Sequence, residues 1–428
     1  MSLKCIISAV ILIFCQIPVH CQTFFDDYFE PKTLRFDFYL AGNALHQAVY
    51  ADCFREEPYW AGSKTHLTDN PDYGEYYYKV YDQASGQLIY GKGFCSLFQE
   101  WRTTDEAKII EKAYNQVIVL PYPKRTIRLE ISARSYATGK FELLWQTTID
   151  PGSIFIRREK HPSYPVTEIL LNGKTEQKVD LVFVAEGYTA AEAGKFKKDA
   201  ERFTEYLFGT EPFASRKNDF NVRAVACPSD DSGVDIPGEN VWKNTAVNAG
   251  FWTFGIDRYV TTPDWVAIRD RIWDVPCDAV FVIVNSEKYG GGGIYNCYGI
   301  GTSDHHASCT VFAHELGHSF AGLADEYYSS EVAYNDFYNL KNEPWEPNIT
   351  TLVNFETKWK DMLPKGAEVP TPETAEKEQQ VGVYEGGGYA SKSIYRPMID
   401  CRMRSNRSEF CPVCQRAIHR MIDWNIDR

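Results

Sequence analysis

His314-Glu315-Leu316-Gly317-His318 follows directly on the apolar run Ser308-Cys309-Thr310-Val311-Phe312-Ala313, and the two together read as one helix. Residues four apart on a helix share a face, so both imidazoles can turn towards a single metal ion. Glu315 lies one position round the helix, where its carboxylate reaches a water beside that metal rather than the metal itself. Zinc-assisted hydrolysis of an amide bond uses this residue set. Histidine is scarce, 9 of 428 residues, so abundance does not explain the pattern. The bland alternative is a helix with two surface histidines and a solvated glutamate.

A catalytic zinc takes three protein ligands and keeps one position open. The chain continues Ser319-Phe320-Ala321-Gly322-Leu323-Ala324-Asp325-Glu326-Tyr327. Gly322 is placed to end the helix in a left-handed conformation, after which a carboxylate can return to the metal. The run resembles the metzincin pattern H-E-x-x-H-x-x-G-x-x-H/D, with one additional residue before Gly322 and the Gly-x-x-Asp step intact. That resemblance favours Asp325 as third ligand. Glu326 is the alternative, or a partner holding a histidine tautomer. His305 and His306 read as a polar loop before the helix, because no ligand spacing ties them to His314.

The formal net charge of −13 and a pI near 5.3 argue against nucleic acid or anionic membranes as partners. Residues 1–21 have the form of a secretory signal: Lys4, the apolar core Ile6–Ile17, and Val19 and Cys21 at the cleavage positions. No later segment is apolar enough to span a membrane. Nine cysteines follow the signal, and an exported chain permits disulfides. The expected pairs are Cys297 with Cys309, and Cys401 with Cys411 or Cys414. Cys411-Pro412-Val413-Cys414 lacks a second C-x-x-C to complete a zinc site, so it reads as part of such a pair.

Short alternating runs, among them Thr33–Leu40, Tyr76–Tyr81, Gly86–Tyr90, Gln116–Leu120, Thr126–Ile131 and Phe141–Trp145, predict an all-β sandwich over residues 22–160. His161-Pro162-Ser163-Tyr164-Pro165 reads as a linker. Beyond it, buried strands at 179–187, 220–226 and 279–285 alternate with helices at 190–207 and 265–273. A mixed α/β unit over 161–428 follows, with the metal helix crossing beneath its sheet. The fold class is thus multidomain α+β.

Lys288-Tyr289-Gly290-Gly291-Gly292-Gly293-Ile294-Tyr295-Asn296 is not a phosphate loop, since no G-K-[ST] ending opens a helix from it. It is either a connector or an edge segment above the metal on which a substrate backbone could pair. Residues 330–392 are loop-rich and fall at the floor or rim of a cleft. A final helix runs from about Cys411 to Trp424. Between them, Tyr395 and Arg396 are candidates to stabilise an oxyanion. Met403, in Cys401-x-Met403, resembles the methionine turn beneath metzincin histidines and is preferred over Met398. Either methionine could instead be ordinary core.

The extended motif, the signal, the β-rich first part and the Tyr395-Arg396-Pro397…Cys401-x-Met403-Arg404 segment together resemble the IgA-peptidase family of zinc metallopeptidases, over nearly the whole chain. The resemblance implies a secreted zinc endopeptidase with a metzincin-like catalytic unit. It carries His314 and His318 over as ligands and Glu315 as catalytic base, with protein or peptide as substrate. Cleavage of immunoglobulin A is not implied. Two rival readings share the same residues: a surface-binding protein with a vestigial metal site, and a zinc amidase acting on a non-protein amide.

Overall fold

Side-chain alternation builds the first part of the chain. The computed structural model describes residues 24–68, 72–328 and 337–427; the expected signal, residues 1–21, lies outside them. In chain order come α1 (Phe25–Tyr28), β1 (Phe29–Gly42), β2 (Gln47–Glu57), β3 (Tyr76–Asp82), β4 (Leu88–Phe94), α2 (Leu97–Trp101), β5 (Lys112–Pro123), β6 (Ile127–Arg134), β7 (Phe141–Ile149) and β8 (Ile156–Arg157). They form two four-stranded sheets, ordered β5-β1-β2-β8 and β4-β3-β6-β7. Every second residue of β6, from Ile127 to Ala133, is buried, as a half-covered strand requires. Those side chains share one core with Phe36 and Phe38 of β1 and Tyr76 and Tyr78 of β3. Phe36 stacks on Trp145 of β7 at 5.1 Å, joining the two sheets. β2 is not among the sequence-predicted strands. It buries only Val49, Cys53 and Glu57, and a bulge opposite Asp37 and Phe38 breaks its register, so it carries no clean alternation.

The second part comprises β9 (Val166–Leu170), β10 (Val179–Glu186), α3 (Ala193–Leu207), β11 (Phe220–Val225), α4 (Trp265–Arg271), β12 (Ala279–Val284), β13 (Gly291–Ile294), β14 (Tyr298–Thr302) and α5 (Ser308–Ala321). After these come β15 (Tyr384–Gly387), β16 (Ala390–Arg396), α6 (Arg402–Ser405) and α7 (Pro412–Asn425). Six strands make one sheet, ordered β13-β14-β12-β10-β11-β9. The four inner strands are parallel, and β13 and β9 close the edges antiparallel. All eight residues of β10 are buried, as expected of a parallel strand covered on both faces. Phe312 of α5 stacks on Phe203 of α3 at 5.0 Å and meets Phe281 of β12 edge-on at 4.6 Å. Both helices therefore lie against one face of the sheet. Among the described residues no helix is long and apolar enough to cross a membrane.

The two parts are tied by a buried ionic cluster. Arg35 of β1 bonds Asp37 of the same strand and Asp270 of α4 at 2.7 Å, while Arg269 pairs with Glu57 of β2. The Trp265 indole N–H donates to the Val117 carbonyl at 3.0 Å.

Among the described residues all nine cysteines are free thiols, so the expected disulfides are not formed. Cys297 and Cys309 lie at opposite ends of α5: the Asn296 N–H bonds the Ser319 carbonyl near its C-terminus, whereas Cys309 is in its first turn. Ten residues of helix, about 15 Å, separate those ends, and a disulfide needs Cα atoms within about 7 Å.

Candidate metal centre

α5 ends where the sequence places its stop. Gly322 takes φ +63° and ψ +29°, and its N–H caps the His318 carbonyl. The chain then turns back, and Asn348 holds it in place. The Asn348 side chain accepts from the Ala324 N–H at 2.8 Å and donates to the Ala324 carbonyl at 2.9 Å.

This return brings Asp325 to the histidines. Its Oδ1 lies 3.1 Å from His314 Nε2 and 3.3 Å from His318 Nε2, and the two Nε2 atoms are 3.0 Å apart. Ligands tetrahedrally placed at zinc–nitrogen and zinc–oxygen distances stand about 3.3 Å from one another, close to this triangle. Asp325 Oδ1 is buried and has no hydrogen-bond partner, an arrangement that a cation would satisfy. The far side of each imidazole is fixed. His314 Nδ1 donates to the Arg402 carbonyl at 2.9 Å and His318 Nδ1 to the Leu323 carbonyl at 2.6 Å. Carbonyls only accept, so both Nδ1 atoms carry protons and both Nε2 atoms face the shared point. Asp325 Oδ2 accepts from the Tyr389 hydroxyl at 2.6 Å.

The local field favours positive charge. Burial works against charging His318, but Asp325 outweighs it and lifts the imidazole to about 9. Burial likewise opposes ionisation of Asp325, yet the two histidines hold its carboxyl well below the usual range. The donor set, the triangle and the orphaned oxygen all fit a zinc ion.

Glu315 stands beside the triangle: one ligand-capable atom each of His314, Glu315 and His318 lie within 4.8 Å of one another. Burial pushes its carboxyl upward while the two histidines oppose the shift. The glycine-rich stretch is an edge strand packed on this part of α5. A Cβ on Gly291 would stand 2.6 Å from Glu315 Oε1, and one on Gly293 would stand 2.5 Å from the Glu315 carbonyl oxygen. Met403 packs against the helix at Gly317. Its Sδ is 2.9 Å from where a Cβ on Gly317 would be, and the adjacent Arg402 supplies the carbonyl that holds His314.

Other candidates fall elsewhere. Glu326 is fully buried and turned away from the histidines: Oε1 accepts from Asn348 at 2.9 Å and from the Cys414 thiol at 3.3 Å. Tyr395 does not line the cleft over the triangle. Its backbone pairs with Thr350, and its side chain packs at the edge of the core. Arg396 is buried too, its guanidinium bonded to the carbonyls of Glu385 and Gly386 at 2.7 Å each. The β15–β16 hairpin sets both positions, and its register is not readable from residue spacing. In their place the cleft, about 420 Å³, is lined by Arg258, Tyr289, Tyr327 and Asn406 together with His314, Glu315, His318 and Asp325. Burial, and then the Asp325 charge, drive the Tyr327 hydroxyl far above its ordinary range, against the opposing pull of the Arg258 guanidinium. Arg258, Asn348 and Tyr389 come from loops, and no spacing in the sequence marks them.

The profile of the family described as IgA Peptidase M64 matches residues 167–379 and 373–422. The chain belongs to this peptidase family. A second profile, Peptidase M64 N-terminus, matches residues 24–146 within the β-rich first part. No curated protein matches the chain. Membership makes this M64 protein a peptidase, with protein or peptide as its substrate class.

Proposed function

We propose that this M64 protein is an exported zinc endopeptidase whose metzincin-like catalytic unit spans residues 161–428. The observation that carries the reading is the triangle of His314 Nε2, His318 Nε2 and Asp325 Oδ1, with Asp325 Oδ1 buried and otherwise unpartnered. These three would hold zinc, which supplies a Lewis acid and acidifies a water in the cleft. Glu315, beside the histidines, takes the proton from the attacking water and passes it to the leaving amine. Its half-buried carboxylate, pushed upward in pKa, suits both transfers. Arg258 and the Tyr327 hydroxyl donate towards the carbonyl oxygen as it gains charge. The edge strand β13 lines the same cleft and is bridged to Tyr259 at Gly291, so an extended substrate segment would pair along the remainder of the strand.

The test is Glu315→Gln. Zinc content should stay at the wild-type level, while turnover of an unfolded protein substrate falls by about 10²–10⁴-fold. A chelator should abolish wild-type turnover. Retention of full turnover by Glu315→Gln overturns the assignment.

A further inference from the structure

Three cysteines and a glutamate left unused by this chemistry meet in the core. Glu326 follows the return from α5, Cys401 precedes α6, and Cys411 and Cys414 open α7. One ligand-capable atom from each lies within 4.8 Å of all the others, and all four residues are buried. We propose that they form a second, structural zinc site beneath the histidine site.

The distances match a shared ion. Cys401 Sγ and Cys414 Sγ are 3.7 Å apart; thiolates bound tetrahedrally at about 2.3 Å from zinc stand roughly 3.8 Å apart. Cys414 Sγ is 3.3 Å from Glu326 Oε1, near the roughly 3.5 Å of a thiolate and a carboxylate sharing one zinc. Two backbone N–H groups point at sulfur. Cys411 N–H donates to Cys401 Sγ at 3.3 Å and Cys414 N–H to Cys411 Sγ at 3.5 Å. Such donors stabilise thiolates, as does the N-terminal end of α7. The second oxygen, Glu326 Oε2, is buried with no partner. A carboxylate enclosed by three thiols is costly unless something positive joins it. The thiols and carboxyl release their protons on binding, so zinc uptake leaves no unpaired ligand.

A disulfide between Cys401 and Cys414 is the rival state. It would close the pair to about 2.05 Å and leave Cys411 and Glu326 facing each other without compensation. The metal also has a reason to be there. Glu326 adjoins Asp325, and its N–H bonds the Met403 carbonyl at 2.8 Å. Cys401 adjoins Arg402, whose carbonyl orients His314. One ion would therefore pin together the two segments that build the histidine site and anchor both to α7.

The experiment measures zinc per chain on full-length protein purified without added metal, for the wild type and for His314→Ala/His318→Ala. The wild type should carry two equivalents and the double variant one, with zinc-edge X-ray absorption of the variant showing sulfur neighbours at about 2.3 Å. Because the double variant leaves the cysteines intact, its zinc content does not depend on whether the histidine site is catalytic or even binds zinc; the wild type's second equivalent does. A variant holding no zinc, or zinc with only nitrogen and oxygen neighbours, overturns the proposal. So does a non-reducing digest in which Cys401 and Cys414 emerge as one disulfide-linked peptide.

Discussion

Gly293→Ala should separate chemistry from metal binding. The added methyl would stand 2.5 Å from the Glu315 carbonyl oxygen and 2.8 Å from His318 Cβ. Both atoms are held by the α5 backbone, so no side-chain rotation relieves the clash. Non-bonded contacts become comfortable near about 3.5 Å, which requires β13 and α5 to part by about 1 Å. Overpacking of this kind costs about 1–3 kcal/mol. Loss of chain flexibility in the unfolded state returns about 0.4–1 kcal/mol, leaving a net loss of roughly 1.3 kcal/mol at the middle of the two ranges. The effect on turnover is larger, because a 1 Å displacement of groups around a reacting bond can cost about 10²-fold. The histidines stay anchored by the Arg402 and Leu323 carbonyls, so zinc content should not change. Denaturant melts, zinc analysis and initial rates on a fluorogenic peptide measure the three quantities. Gly194→Ala, inside α3, is the control: nothing lies within 4 Å of its added methyl, so rate should hold and stability should rise by about 0.4–1 kcal/mol. Wild-type rate and unchanged midpoint in Gly293→Ala would refute the argument that β13 needs glycine to lie on α5.

Tyr389→Phe removes the hydroxyl that donates to Asp325 Oδ2 at 2.6 Å. Zinc affinity, read by competition with a chromogenic chelator, should weaken by about 10–100-fold. Arg258→Gln should lower kcat by about 10²-fold with little change in zinc content; an unchanged kcat would remove Arg258 from the site chemistry. Glu192 makes a pH prediction. Burial works to raise its carboxyl, but bonds from the Thr189 N–H and hydroxyl, Ser232 and Asn285 outweigh burial and hold it at about 2. A carboxylate depressed in the folded state stabilises above its unfolded pKa and loses that contribution as pH falls through the folded value. Glu192→Gln should therefore cost about 1–2 kcal/mol near pH 7, after allowance for solvent screening. The gap from wild type in denaturant midpoint should close between about pH 4.5 and pH 2.

Periodicity made much of the fold legible before any coordinates. The unbroken apolar run of β10 and the helical spacing of α5 both lie where the residues place them, and so does the Gly322 stop. Two neighbouring carboxylates are harder. Asp325 and Glu326 are neighbours on an irregular segment after α5, and their side chains go to different places. Which one meets the histidines is decided by Asn348 and the Met403 carbonyl, both distant in sequence. Tyr395 reads as a site residue from its place beside Arg396 and Pro397, but the β15–β16 pairing carries it away. Arg258 and Tyr389 sit in loops whose paths follow packing rather than residue spacing. The cysteines show the same limit: C-x-x-C at 411 and 414 lacks a second pair in sequence, while the fold supplies Cys401 and Glu326 from two other segments.

The β-rich first part is also one bank of the cleft. Glu100 accepts from the Tyr259 hydroxyl at 2.6 Å, Glu75 from the Trp345 indole at 2.8 Å, and the Cys95 N–H bonds the Tyr295 carbonyl at 2.9 Å. None of these residues touches the metal triangle. The cleft wall and the histidine–carboxylate triangle thus come from different stretches of one polypeptide. A change around residues 95–100 would reshape that bank of the cleft and leave His314, His318 and Asp325 where they are.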